Sequence, residues 1–324
     1  MTSGLTRAPT VIYVAGSGRS GSTLLERTLG EITGFVNVGE LIDVFRRVVP
    51  QGERCGCGEP FAVCPFWTGV GHRLLDGWGS DSVDAVRRLQ LRVARQRHIP
   101  RLIFPQWAGS SFNKALREYG AHYRDLFTAI AEQGDSRYVV DASKWPVQAL
   151  ALHRAGLDVR VIHLVRDPRG VAYSLGKENI TRPHTVGQPD VMFHESSMGA
   201  AARWLACQTE SDALARCGLP VASMRYEDFV QDPRAQVLSA LSSLGLRPDD
   251  SWLTHIGEGR VTLRSSHGLS GNPSRFRAGD IVLRTDLTWR TEMRRRDQLL
   301  VTAVAFPQMF KHQPVRPPAE SRSS

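Results

Sequence analysis

The chain predicts an α/β protein, a central parallel sheet flanked by helices, and three observations carry that expectation. Short apolar, β-branched runs alternate with helical segments along the chain. The first run leads through a glycine-rich turn into a helix start. The unusual polar clusters fall just after the runs, where a parallel sheet places its ligands.

The first run and turn are Val11-Ile-Tyr-Val-Ala-Gly16-Ser-Gly18-Arg19-Ser20-Gly21-Ser22-Thr23. A nucleotidase P-loop, G-x-x-x-x-G-K-[S/T], uses glycines for tight turns, a lysine for the terminal phosphates and a hydroxyl for magnesium. Gly16, Gly21 and Thr23 match, but Ser22 stands at the lysine position. Arg19 is the loop's cation, and its planar guanidinium can grip an anionic oxygen through two parallel hydrogen bonds. The loop therefore reads as a phosphate cradle poorly equipped for ATP hydrolysis, or as a plain strand-to-helix turn.

A helix over 22–31 follows, then an apolar run over 34–38 that ends at Gly39-Glu40, placing Glu40 at a strand's carboxyl end. Residues 50–134 lack strand signals and carry helical patterns over 81–98 and 111–133, a helical insertion expected to shape an acceptor pocket. Further strands are expected at 138–141, 159–165 and 219–225. Asp141-Ala-Ser-Lys144 follows the third, Arg166-Asp-Pro-Arg-Gly-Val-Ala-Tyr-Ser174 the fourth, and Tyr226-Glu-Asp228 the fifth. The organisation expected is a flexible N-terminus (1–9), a single domain over 10–310 and a disordered tail over 311–324, rich in Pro, Ser and Arg. Within the domain, residues 177–197 read as a polar lid over the acceptor and 265–290 as a closing loop.

Length, 324 residues, and a hydrophobic fraction of 41% suit a globular protein. The formal net charge of +9 favours anionic partners without choosing among them. Only four of the 41 basic residues are lysine, so arginine carries the charge, which fits oxyanion binding and compositional bias equally. No run of eighteen apolar residues occurs and residues 1–9 have no apolar signal core, so a cytoplasmic enzyme without a transmembrane segment is expected. No helix-turn-helix, zinc-finger spacing or interleaved aromatic-basic stripe points to nucleic acid.

Together with the first loop, Arg166 and Ser174 resemble the sulfotransferase family, in which one segment holds the 5′-phosphosulfate of 3′-phosphoadenosine 5′-phosphosulfate (PAPS) and another its 3′-phosphate. The likeness extends to Arg225-Tyr226-Glu-Asp-Phe229 with Asp232-Pro233, and to Gly271-Asn272-Pro-Ser-Arg275-Phe-Arg277-Ala-Gly279. The resemblance implies the P-loop-like sulfotransferase fold. It implies a cradle of Gly18, Arg19, Ser20, Gly21, Ser22 and Thr23 on the 5′-phosphate, Arg166 and Ser174 on the second phosphate, and Tyr226 near the adenine. Asn272, Arg275 and Arg277 would close on the 3′-phosphate. It further implies in-line transfer of a sulfuryl group from PAPS to a hydroxyl of a small-molecule, lipid or glycan acceptor, with no metal required. Glu40 is the expected base, Lys144 the lysine that bridges to the leaving oxygen, and Arg19 adds charge at the transfer site.

Alternatives stay open. Glu40 pairs instead with Arg46 or Arg47, and a lid histidine, His184 or His194, takes the proton. Asp141 passes for the magnesium-binding aspartate of a small-molecule kinase using ATP. Trp67, Trp78, Trp107 and Phe112 line a pocket or fill a core. Cys55, Cys57 and Cys64, with His72 further on, bind zinc, form a disulfide or stay reduced.

Overall fold

In a computed structural model, residues 8–177, 181–182, 190–191 and 194–311 are described. The N-terminal half runs β1 (Thr10–Gly16), α1 (Ser22–Gly30), β2 (Phe35–Gly39), a single turn α2 (Val49–Gln51), α3 (Pro65–Arg73), α4 (Ser80–Val93), α5 (Ile99–Ile103) and α6 (Ser110–Gln133). Then come β3 (Tyr138–Lys144), α7 (Pro146–Arg154), β4 (Val159–Val165), α8 (Pro168–Leu175), the two-residue strands β5 (Thr181–Arg182) and β6 (Asp190–Val191), α9 (Ser197–Arg216) and β7 (Val221–Arg225). The chain continues through α10 (Tyr226–Gln231), α11 (Pro233–Ser243), β8 (Ile256–Gly257), β9 (Arg260–Leu263), β10 (Gly279–Val282), α12 (Trp289–Glu292) and α13 (Arg295–Lys311).

Five strands form one parallel sheet in the order β2-β3-β1-β4-β7. β1 is central and buried throughout, and its alternating side chains feed two cores. Val11, Tyr13 and Ala15 face the core shared with α6 and α7, while Ile12 and Val14 face the one shared with α1 and α11. The chain moves to one side of β1 for β2 and β3 and to the other for β4 and β7. The loops after β1 and β4 therefore diverge and leave a crevice at the sheet's carboxyl edge.

The insertion is helical, as its periodicity predicts. Its aromatic residues resolve toward packing: Trp67 and Phe112 are buried and Trp78 packs against the same core, while Trp107 is exposed. An antiparallel three-stranded sheet, β10-β9-β8, was not anticipated. It frames the closing loop. Lys311 ends α13, and Pro9 is buried. The remaining N-terminal and tail residues, and most of the expected lid, including His184, lie outside the described residues. No helix among the described residues is long and apolar enough to cross a membrane.

Candidate active site

The loop after β1 turns back on itself before α1, and Gly21 makes the turn. It sits at φ 92 as the cap of α1, and a Cβ there would lie 2.4 Å from the Tyr226 ring. Only glycine satisfies both the left-handed backbone and that close approach. No side chain caps α1 and no acidic residue occupies its first turn, so the dipole's positive end faces the cavity uncompensated. That is an anion-binding arrangement.

A cavity of about 870 Å³ opens there. Gly18, Arg19, Gly21, Ser22 and Thr23 line it from the loop, and Glu40, Lys144, Arg166, Ser174, Tyr226, Asn272 and Arg277 from five other segments. The cluster inferred residue by residue from the sequence is thus brought together, with two exceptions. Ser20 is fully buried beneath the loop and its side chain lies off the cavity. Arg275, expected on the 3′-phosphate, is 1% exposed and donates to the carbonyls of Ser270 (2.6 Å) and Arg54 (2.9 Å). A 3-10 turn over Pro273–Phe276 rotates it inward while leaving Arg277 on the cavity.

Arg166 leaves β4 and is fixed on three sides. Its guanidinium donates to the Arg19 carbonyl (2.8 Å) and to Asp286 (3.1 Å), and lies 4.9 Å from the Tyr226 ring centroid. The left-handed Arg19 backbone, φ 66, belongs to the same loop whose carbonyl Arg166 reads. Asp286 had no recognisable motif in the sequence. It is identifiable only once β10 returns the chain to the cradle.

Glu40 directly follows β2, beside this loop. Its backbone N–H donates to the Leu269 carbonyl (2.8 Å), and its carboxylate pairs with the Lys144 ammonium. Both side chains are mostly shielded, 15% and 17% exposed. Arg46 and Arg47, the partners considered from sequence, instead pair with Asp43 and, for Arg47, Glu53. Lys144 adopts φ 70, and the Trp145 N–H donates back to the Ser143 carbonyl (2.9 Å), a γ-turn that aims the side chain at Glu40. Such a conformation costs on the order of 1–3 kcal/mol, held here by the Tyr13 hydroxyl on the Trp145 carbonyl (2.9 Å).

Asp141, three residues earlier, does not reach the cavity. It is fully buried and accepts from the backbone N–H of Ser143 (2.9 Å) and Leu41 (3.4 Å) and from the Ser143 hydroxyl. Burial pushes its carboxyl up to about 7, against the pull of those hydrogen bonds. A magnesium-binding aspartate would have to face the nucleotide, so this carboxyl serves the backbone after Glu40.

Arg27 was missed from sequence because a basic residue inside a helix looks like a solvated one. It is buried and crosses from α1 to the closing loop, donating to the carbonyls of Ser274 (3.1 Å), Arg264 (2.7 Å) and Arg277. His194, the other lid histidine considered, is exposed and does not line the cavity.

A model of the sulfotransferase family matches residues 9–250. Among solved structures, the chain is similar to the sulfotransferase domain from the Synechococcus PCC 7002 olefin synthase, at 18% identity and TM-score 0.47, over 97% of this chain and 98% of that one. It is also similar to the sulfotransferase domain from the curacin biosynthetic pathway, at 16% identity and TM-score 0.45, over 92% and 98%. No curated protein sequence matches it.

Proposed function

The chain belongs to the sulfotransferase family, and from that premise we propose that it transfers the sulfuryl group of PAPS to an acceptor hydroxyl, with Glu40 as base. The observation that carries this reading is the Glu40–Lys144 pair on the wall of the same cavity as the cradle. A base and a cation meet where a donor's leaving oxygen and an acceptor's hydroxyl would have to meet.

The cradle amides of Gly18 to Ser22 and the start of α1 hold the 5′-phosphate, with Arg19 and the hydroxyls of Ser22 and Thr23 adding charge and donors. Arg166, Ser174, Asn272 and Arg277 take the 3′-phosphate, and Tyr226 lies against the adenine. Before donor binds, Lys144 neutralises Glu40. With donor in place Lys144 turns to the bridging oxygen, where negative charge grows as the S–O bond to the 5′-phosphate breaks. Glu40, released, accepts the acceptor's proton while its oxygen bonds sulfur, so bond making, bond breaking and proton transfer balance. The protein's work is positioning and charge stabilisation.

The rival is a small-molecule kinase using ATP and magnesium. Ser22 at the lysine position and Asp141 turned into the backbone both weigh against it. Ligand-induced stabilisation separates the two, because a ligand bound only to the native state raises Tm. We expect 3′-phosphoadenosine 5′-phosphate to raise Tm without magnesium, and ATP with magnesium to do so weakly. Protection by magnesium-ATP alone would transfer the assignment to the kinase.

A further inference from the structure

Away from the cavity, three cysteines and a histidine converge. Cys55, Cys57 and Cys64 come from the insertion, and the fourth group is His267, over two hundred residues later in the closing loop. His72, the histidine that sequence spacing offered, is exposed on α3. The four ligand atoms all lie within 4.8 Å of one another. We propose that Cys55, Cys57, Cys64 and His267 bind one zinc ion, a structural site that fastens the closing loop to the insertion.

The distances carry the argument. With Zn–S bonds of about 2.3 Å and a Zn–N bond of about 2.05 Å, a tetrahedral site has S···S edges of about 3.8 Å and S···N edges of about 3.6 Å. Here Cys57 Sγ lies 3.7 Å from Cys64 Sγ, and His267 Nδ1 lies 3.4 Å from Cys64 Sγ and 3.6 Å from Cys55 Sγ. A disulfide would bring two sulfurs to about 2.05 Å. Thiols are weak hydrogen-bond donors, and a buried cysteine usually packs as a small hydrophobe. Gathering three sulfurs around one imidazole nitrogen has no such explanation.

The first two ligands ride on a tight turn, closed by Gly58 N–H to the Cys55 carbonyl (2.9 Å) and Cys55 N–H to the Glu59 carbonyl (2.8 Å). The His267 ring is stacked on Phe66 at 4.8 Å and 6°, and its carbonyl accepts from the Trp67 indole (2.9 Å), so its orientation is set before any metal arrives. Three thiolates and an imidazole on zinc leave one net negative charge. The buried Arg275 guanidinium lies nearby, donating to the Arg54 carbonyl next to Cys55 (2.9 Å). Soft ligands in tetrahedral array select zinc, and four protein ligands leave no open position, which makes the site structural.

Its place in the fold gives it consequence. Gly268 and Leu269, directly after His267, pair with Gly56 and with the end of β2 (Gly56 N–H to Gly268 O, 3.0 Å; Leu269 N–H to Val38 O, 2.9 Å), and Asn272 follows. The metal would lock the loop that borders Glu40.

The test uses the full-length protein purified reduced, without chelator, from zinc-replete medium. Metal analysis should find about one zinc per chain, and cobalt reconstitution should produce the visible absorption of a tetrahedral thiolate site. Cys57→Ser combined with His267→Ala should lose the zinc, and chelation should lower the wild-type Tm. Reduced protein free of zinc that develops no thiolate-cobalt spectrum, a native disulfide among these cysteines on mass spectrometry, or full zinc in the double variant would each overturn the proposal. Should the double variant fail to fold, the zinc content and cobalt spectrum of the wild type decide alone.

Discussion

The cradle and the closing loop border the same cavity and are built in opposite ways. The cradle is one contiguous stretch whose shape follows from its own glycine and from the strand and helix it joins. The closing loop has little regular structure and is held from outside. Glu31 takes Arg264 (2.6 Å), Arg27 spans three carbonyls, Asp43 accepts from the Ser270 hydroxyl (2.8 Å), and the end of β2 pairs with Leu269. A local site is robust to distant change, whereas an externally held one couples its ligands to the rest of the fold.

Glu40 lies where the two meet, and its replacement has the largest expected effect. Glu40→Gln keeps size and hydrogen-bonding shape but cannot accept the acceptor's proton. General-base loss predicts a fall in turnover of about 10²–10⁴-fold, with the affinity for 3′-phosphoadenosine 5′-phosphate nearly unchanged. Retained turnover would move the base elsewhere and leave the Glu40–Lys144 pair a structural ion pair.

The next test breaks the cradle alone. Gly21→Ala forces a methyl to 2.4 Å from Tyr226 and puts a non-glycine residue at φ 92. We expect donor-nucleotide affinity to fall at least about tenfold, equivalent to about 1.4 kcal/mol. Calorimetric titration measures this directly. Unchanged affinity would mean that the cradle is not the 5′-phosphate site.

The same contrast explains what was legible in the sequence. Gly16, Arg19, Gly21, Glu40, Arg166 and Ser174 were readable because each stands at a fixed offset from an apolar strand, and a parallel sheet brings strand ends together. Tyr226, Asn272 and Arg277 rested on resemblance, and the cavity includes all three. Arg275 failed because a basic residue in a loop does not reveal which way a 3-10 turn will aim it. Arg27, Asp286 and His267 were illegible for one reason: each acts on a segment far away in sequence, and no local pattern records a long-range partner. The β8–β10 sheet escaped because its strands have two to four residues, too few for an alternation to register.

Arg27→Met probes the external hold. The variant keeps much of the apolar volume but strips the donors from three carbonyls that α1 otherwise satisfies. Losing buried hydrogen bonds to a charged donor predicts a stability cost of about 2–4 kcal/mol. It also predicts severalfold weaker donor binding through Arg277, whose carbonyl Arg27 holds. Thermal unfolding and titration should therefore move together. A stability loss without any change in affinity would show that the closing loop does not engage the nucleotide.

Glu26, the residue before Arg27, gives the smallest and most specific effect. Its carboxyl is 1% exposed against β2, where one oxygen accepts from Asn37 (3.1 Å), and burial pushes it up to about 8. The folded protein thus keeps this proton to about pH 8, while an unfolded glutamate releases it near 4.5. Between those values the native state binds more protons, so stability is fullest below about pH 4.5 and declines as pH rises toward 8. Asp141, raised to about 7, adds to the slope over the lower part of that window. Glu26→Gln removes the titration but keeps the acceptor for Asn37. It should flatten the decline of Tm between pH 5 and 8, recovering up to a few kcal/mol at the alkaline end, and leave in place the contributions of Asp141, of Glu210 and of His98, His153 and His255, whose values burial lowers. Identical slopes in variant and wild type would mean that Glu26 is ionised in the fold. The base of the closing loop would then hold a buried charge for Arg27 to balance.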